Sequence, residues 1–202
     1  MQRFDIINYL IKRNNYQRYL EIGVENGHAL ERIQCPLKHG VDPASKHATH
    51  HVPSDDFFRD LDPTTTYDIV FIDGLHVEDQ VDRDIVNSLR HLSPNGIIIV
   101  HDCNPPTEWH QRPYEEAQKN GCRQWNGTVW RSIVKVRATR SDVQVNVVDT
   151  DWGCGLIRPS SNPPETLLEN CPTGEQLTYK FLEQNRKQAL NLITPRDFYK
   201  LY

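Results

Sequence analysis

The chain has 202 residues and a formal net charge of -4, which allows one sizeable core. Hydrophobic residues make up 37% and charged residues 25%, the balance of a soluble globular protein, and nothing approaches a membrane span. No run of Lys or Arg forms a basic stripe, so nucleic acid is not an expected partner.

In chain order, Phe4, Ile7, Leu10 and Ile11 have helical spacing over 2–13. Residues 18–23 read as a short buried strand, 27–33 as a helix, 39–42 as a second strand and 49–52 as a third. Ser54 reads as an N-cap, with Asp55 and Asp56 in the first turn of a helix through Phe57, Phe58 and Leu61. "YDIVFID" (67–73) is a strong fourth strand, its continuous apolar run suiting a sheet covered on both faces. Val81, Ile85, Leu89 and Leu92 lie on one face of a helix over 78–92. "SPNG" is a turn and 97–102 a fifth strand. The alternation of strand and helix predicts an α/β domain with a mostly parallel sheet. Residues 103–126, rich in Pro, Asn, Gln and aromatics, are too long for an ordinary connection and read as a functional loop or lid. A helix over 128–139 follows, in which Trp130 reads as core beside Ile133 and Val134. Two strands, 142–149 and 153–159, are expected to pair as an antiparallel edge hairpin. From Ser160 the chain reads as a linker, then as a helix at about 175–192. The boundaries are thus 1–159 for the main domain and 160–202 for a C-terminal linker and helical extension. The N-terminal helix and "ITPRDFYKLY" carry apolar residues that fit either a cap on the sheet or a homo-oligomer contact.

Five cysteines, an odd number without C-x-x-C spacing, argue against zinc ribbons and disulfides. With no apolar stretch of signal-peptide length at the N-terminus, a reducing, cytoplasmic location is expected. The sequon at Asn126 to Thr128 is therefore read as incidental. His47, His50 and His51 lie in a polar connection and are not read as a zinc cluster.

In an open parallel sheet, ligands bind outside the carboxyl ends of the strands, where strand order reverses. Those ends carry Glu21 to Gly27, Asp42 and Pro43, Asp73 to His76, and His101 to Asn104. Asp and Gly also terminate strands for purely local reasons, but acidic groups at four ends favour a site. Asp42 lies 21 residues after Glu21, a spacing at which a carboxylate can accept both ribose hydroxyls. Gly23 permits close approach of a ligand, and Gly27 close packing of the following turn. A pyrophosphate would be repelled by Glu21 and Glu25, whereas the ammonium and sulfonium of S-adenosylmethionine suit them.

The segments "YLEIGVENG", "GVDP", "SDDFF", "FIDGLHVEDQVDRDI", "HDCNPP" and "DTDWGCG" resemble the class I S-adenosylmethionine-dependent methyltransferases, in particular a bacterial group sharing "FIDGLH". The resemblance runs over about 20–157. It implies a Rossmann-like, doubly wound, seven-stranded sheet of order 3-2-1-4-5-7-6 with the last strand antiparallel. It also implies that Glu21 orders the turn or meets the methionine ammonium, that Gly23 and Gly27 line the cofactor and that Asp42 holds the ribose. Ser54 and Asp55 would lie near the adenine. Glu25, Pro43, Asp73 and Gly74 complete the expected cofactor set. The expected activity is methylation of a hydroxyl on a small molecule or glycan. Asp73 and Asp102 fit one divalent cation, such as Mg²⁺, with Asn104 as a third ligand because Cys103 is a poor one. His76, His101 and Asp102 are the candidate catalytic groups. Trp109, Tyr114 and Trp125 are candidates for the acceptor wall. Two other readings stay open: a cofactor-binding scaffold without catalysis, and a metal-dependent hydrolase built on Asp73, His76, His101 and Asp102.

Overall fold

Seven strands form one sheet in the computed structural model, which describes residues 1–160 and 171–202. The strands are β1 (Arg18–Ile22), β2 (Leu37–Val41), β3 (Tyr67–Ile72), β4 (Leu92–Val100), β5 (Val143–Val148), β6 (Cys154–Pro159) and β7 (Leu192–Ile193). Their order is β2-β1-β3-β4-β6-β5-β7. All neighbours are parallel except β6, which runs antiparallel to both β4 and β5. This is the expected doubly wound sheet, with the antiparallel β6 inserted between β4 and β5 and β7 added outside β5. Order reverses between β1 and β3, which places the switch point at Ile22–Gly23 and Ile72–Asp73.

Alternation along the strands explains the continuous apolar runs. Leu20, Ile22, Val70, Ile72, Ile98 and Val100 belong to one core, with α2 (Ser54–Asp60), α3 (Glu78–Arg90), α5 (Val129–Thr139) and α6 (Tyr179–Leu190). Tyr19, Ile69, Phe71, Ile97 and Ile99 belong to the other, with α1 (Arg3–Asn14) and α7 (Pro195–Leu201). Phe198 of α7 is fully buried and meets Tyr9 of α1 edge-on at 5.3 Å. The apolar residues of the N-terminal helix and of "ITPRDFYKLY" therefore cap the sheet. Trp130 is fully buried, as expected of a core residue.

Four local expectations change. The helix over 27–33 shrinks to one 3-10 turn, Leu30–Arg32. Gly27 has φ 77°, the Asn26 side chain accepts from the His28 N–H, and Pro36 follows closely; each interrupts helical backbone. The third strand at 49–52 is reduced to a single bridge between Val41 and His50. The seventh strand is instead β7, two residues too short to leave a pattern. "SPNG" lies inside the irregular start of β4: Tyr67 pairs with Leu92, but Ile69 already pairs with Ile97. Residues 103–126 hold a 3-10 turn at Glu108–Gln111 and α4 (Tyr114–Lys119). The expected linker after Ser160 falls largely on 161–170, outside the described residues. No helix of the described residues is long and apolar enough to cross a membrane.

Candidate active site

The turn after β1 is squeezed between two strand ends. Gly23 has φ 85°, and a Cβ there would lie 2.2 Å from the Asp73 carbonyl oxygen, so only glycine fits. Its N–H donates to Val41 O at 2.9 Å. Glu25 occupies a left-handed position, φ 48°, with its side chain exposed. What Glu25 contributes is its backbone. Its N–H and that of Val24 donate to Asp42 Oδ2 at 2.9 and 3.0 Å, while Ala44 and Ser45 donate to Oδ1 at 2.8 and 2.9 Å. Burial pushes the Asp42 carboxyl up, but these four donors outweigh it and hold the pKa below the ordinary range. Both oxygens expected to take a ribose are thus already engaged in clasping the turn to β2. Pro43 and Gly74 are exposed beside the turn.

Glu21 is 1% exposed and accepts a short hydrogen bond from the Tyr19 hydroxyl. Burial raises its pKa to about 8; Tyr19 opposes the rise and Asp73 adds to it. The carboxyl is therefore mostly neutral at pH 7. Glu21 thus adds little charge to the turn, unlike what its position at the strand end suggested. Ser54 is tied to α3 instead of capping α2, its Oγ donating to Asp84 at 2.6 Å, while Asp55 sits in the first turn of α2 as expected and pairs with Arg83 at 3.1 Å. The N-cap position belongs to Pro53.

The anionic centre lies one strand further on. Asp73 ends β3, and His101 and Asp102 end β4. His101 Nδ1 stands 3.1 Å from Asp73 Oδ1 and 3.2 Å from Asp102 Oδ2, and its Nε2 is 3.6 Å from Asp151 Oδ2. Three carboxylates outweigh burial and hold the imidazole pKa well above its ordinary value. Arg3 Nη1, 3.1 Å from Nε2, bonds only to a neutral ring, so a charged His101 turns its Nε2–H to Asp151. His76 is fixed in the same way. Its Nδ1 lies 2.9 Å from the Trp125 carbonyl, which can only accept, and its Nε2 lies 3.2 Å from Asp73 Oδ1. Acceptors thus face both ring nitrogens, and the pKa is raised by Asp73 and Asp102 against burial. In return the two imidazoles hold Asp73 below the carboxylate range, although burial alone would raise it. His76 and His101, the candidate catalytic groups, thus share Asp73 and Asp102 as partners.

Asp102 sits in a left-handed conformation, φ 59°. The fully buried Asn126 anchors it, donating from Nδ2 to Asp102 Oδ1 at 3.0 Å. Ligand atoms of Asp73, His76 and Asp102 lie within 4.8 Å of one another, close enough for one metal ion. Asn104 leaves this set. Its Nδ2 donates to Asp149 at 3.0 Å and its Oδ1 accepts from Arg186. Cys103 is fully buried, its thiol turned to Val100 O at 3.2 Å and its pKa raised well up by burial. Among the described residues, neither candidate metal group contains His47, His50 or His51.

Asn104 instead lines a cavity of about 380 Å³ with Asp149, Asp151, Trp152 and Arg186. Asp151, Trp152 and Gly153 have consecutive positive φ values of 46°, 64° and 91°. This costly turn aims Asp151 at His101 and leaves Trp152 37% exposed, stacked on His110 at 5.8 Å. Trp125 stacks on His76 at 5.6 Å, and Trp109 and Tyr114 are exposed. Arg3, Tyr19, Asn126 and Asp151 join the site without having been singled out in the sequence. Only Asp151 had a signal, an acidic "DTDWG" turn before a strand.

Residues 10–103 match the model of a family described as a methyltransferase domain, a span that contains β1 to β4 and every strand-end acid from Glu21 to Asp102. Over that span the chain carries a methyltransferase domain. The methyltransferase resembles an O-methyltransferase from Bacillus cereus in complex with SAH, at 15% identity over 77% of this chain and 78% of that one, TM-score 0.56. It also resembles an SAH-bound methyltransferase from Podospora anserina, at 14% identity, 79% and 78% coverage and TM-score 0.58. A third is an O-methyltransferase from Streptomyces achromogenes involved in tomaymycin synthesis, in complex with SAM, at 17% identity, 79% and 80% coverage and TM-score 0.53. At these identities the methyltransferase shares their fold. No curated protein sequence matches it.

Proposed function

We propose that this methyltransferase takes its methyl group from S-adenosylmethionine and passes it to a hydroxyl of a small molecule or glycan. The observation that carries the reading is the Gly23 turn, closed on Asp73 at the switch point and backed by the buried Glu21. The turn brings no phosphate-binding cradle, whereas a neutral nucleoside with an ammonium and a sulfonium suits a rim holding Asp73, Asp102 and Asp151. The adenosine lies towards Asp42 and the start of α2, and the methionine over Gly23 and Asp73. The acceptor enters the cavity beside Trp152, whose exposed face stacks on a ring while Asp149 and Arg186 take its polar groups.

The cluster positions this displacement and receives the hydroxyl proton. Asp102 is the accepting carboxylate, because it adjoins the cavity through Asn126, whose amide also lies 3.4 Å from Trp152 O. His76 and His101 hold the aspartates in place. Asp73, His76 and Asp102 would hold a divalent cation, and the imidazole favours Mn²⁺, Fe²⁺ or Zn²⁺ over the all-oxygen Mg²⁺. Such an ion supplies a Lewis acid that orients the hydroxyl and lowers its pKa. Isothermal calorimetry with S-adenosylmethionine and S-adenosylhomocysteine tests the reading. Binding of both is expected; a folded protein that binds neither sinks it.

A further inference from the structure

We propose that Arg3 binds the α-carboxylate of the methyl donor, which makes the N-terminal helix part of the cofactor site. The inference rests on the S-adenosylmethionine reading above. That donor has one anionic group, and the rim it must approach holds Asp73, Asp102 and Asp151. Among the described residues, Arg3 is the only lysine or arginine within ion-pair distance of any of the three. It stands 3.7 Å from Asp73 through Nε and 3.1 Å from Asp151 through Nη1.

The geometry separates the two edges of its guanidinium. Nη1 bonds to both Asp151 oxygens, and the Arg3 backbone N–H adds a bond to Asp151 at 2.7 Å. These contacts fasten α1 to the β5–β6 turn. Nε is buried and has no hydrogen-bond partner. A buried N–H without an acceptor is costly, and the Nε–Nη2 edge is the fork that takes a carboxylate through two parallel bonds. That edge faces Asp73, whose carbonyl lies against Gly23 on its other side. A methionine lying over Gly23 and Asp73 brings its carboxylate to this edge. Arg3 also acts on the far side of the turn, where its charge pulls the Glu21 pKa down. The donor's ammonium and carboxylate thus meet opposite charges on neighbouring groups.

The test is calorimetric titration of the full chain with S-adenosylhomocysteine and with its decarboxylated analogue, which keeps the amine and loses only the carboxylate. Wild type is expected to prefer S-adenosylhomocysteine by about tenfold or more, the worth of a charge-assisted pair. Arg3→Gln should lose about that factor for S-adenosylhomocysteine and almost nothing for the analogue. Arg3→Lys, which keeps the charge without the fork, should fall between. The proposal is overturned if wild type binds the two ligands equally, or if Arg3→Gln weakens both alike, as a mere helix staple would. Should wild type bind neither ligand, the donor reading itself fails; loss of the analogue's binding in Arg3→Gln alone would not touch that reading. If Arg3→Gln does not fold, the wild-type preference and Arg3→Lys still decide the matter.

Discussion

Replacing Glu21 by glutamine isolates the electrostatic cost built into the base of the Gly23 turn. The carboxyl is 1% exposed and its pKa stands at about 8 instead of 4.5. Between those two values the folded chain holds a proton that the unfolded chain has released. Stability must then fall as pH rises through this window, because the native state binds more protons than the unfolded one. Each pH unit of difference is worth about 1.4 kcal/mol, so the full window costs about 5 kcal/mol, an upper figure once local relaxation is allowed. Glutamine keeps the shape and still accepts from the Tyr19 hydroxyl, but it has no charge to bury. Urea unfolding of the ligand-free protein from pH 5 to 8.5 should show wild type losing several kcal/mol relative to Glu21→Gln. The Asp84 carboxyl, raised to about 6 by burial, slopes the same way in both proteins and cancels in the difference. Parallel stability profiles for the two proteins would refute the reasoning.

Gly23→Ala forces a Cβ to 2.2 Å from the Asp73 carbonyl at φ 85°, so it should cost at least about 2 kcal/mol of stability and abolish donor binding. An unchanged urea midpoint counts against the squeezed turn. Asp42→Asn turns an amide NH₂ towards two of the four backbone donors, and should lower donor affinity more than about tenfold while costing about 1–3 kcal/mol. Calorimetry and unfolding report the two effects separately, and unaltered affinity would show that the clasp does not shape the site.

Much of the fold was legible because its signals are local. The apolar run of 67–72, the helical spacing of 78–90 and the alternation over 143–148 each bury their own pattern, and burial fixes the period. The failures are equally physical. The 27–33 helix was lost to a left-handed glycine and an Asx turn, and the two-residue β7 has no period to read. The strand-end acids were also legible, since a parallel sheet puts every such end on one rim.

The sequence by itself therefore determined which elements form, that Asp73 and Asp102 would end adjacent strands, and that Gly23 would mark the switch point. Only the tertiary structure decided what these groups do. Asp42 turned out to bind its own backbone because the turn folds over it. Glu21 became mostly neutral because the sheet buries it, against the pull of Tyr19. The His101 pKa rose because Asp73, Asp102 and Asp151 surround the ring, and the His76 pKa because Asp73 and Asp102 face it. Arg3 entered the site from 70 residues away in sequence because α1 packs on the sheet with its N-terminus at the acidic rim. Charge state and partnership depend on burial and on neighbours distant in the chain, and neither is written in local order.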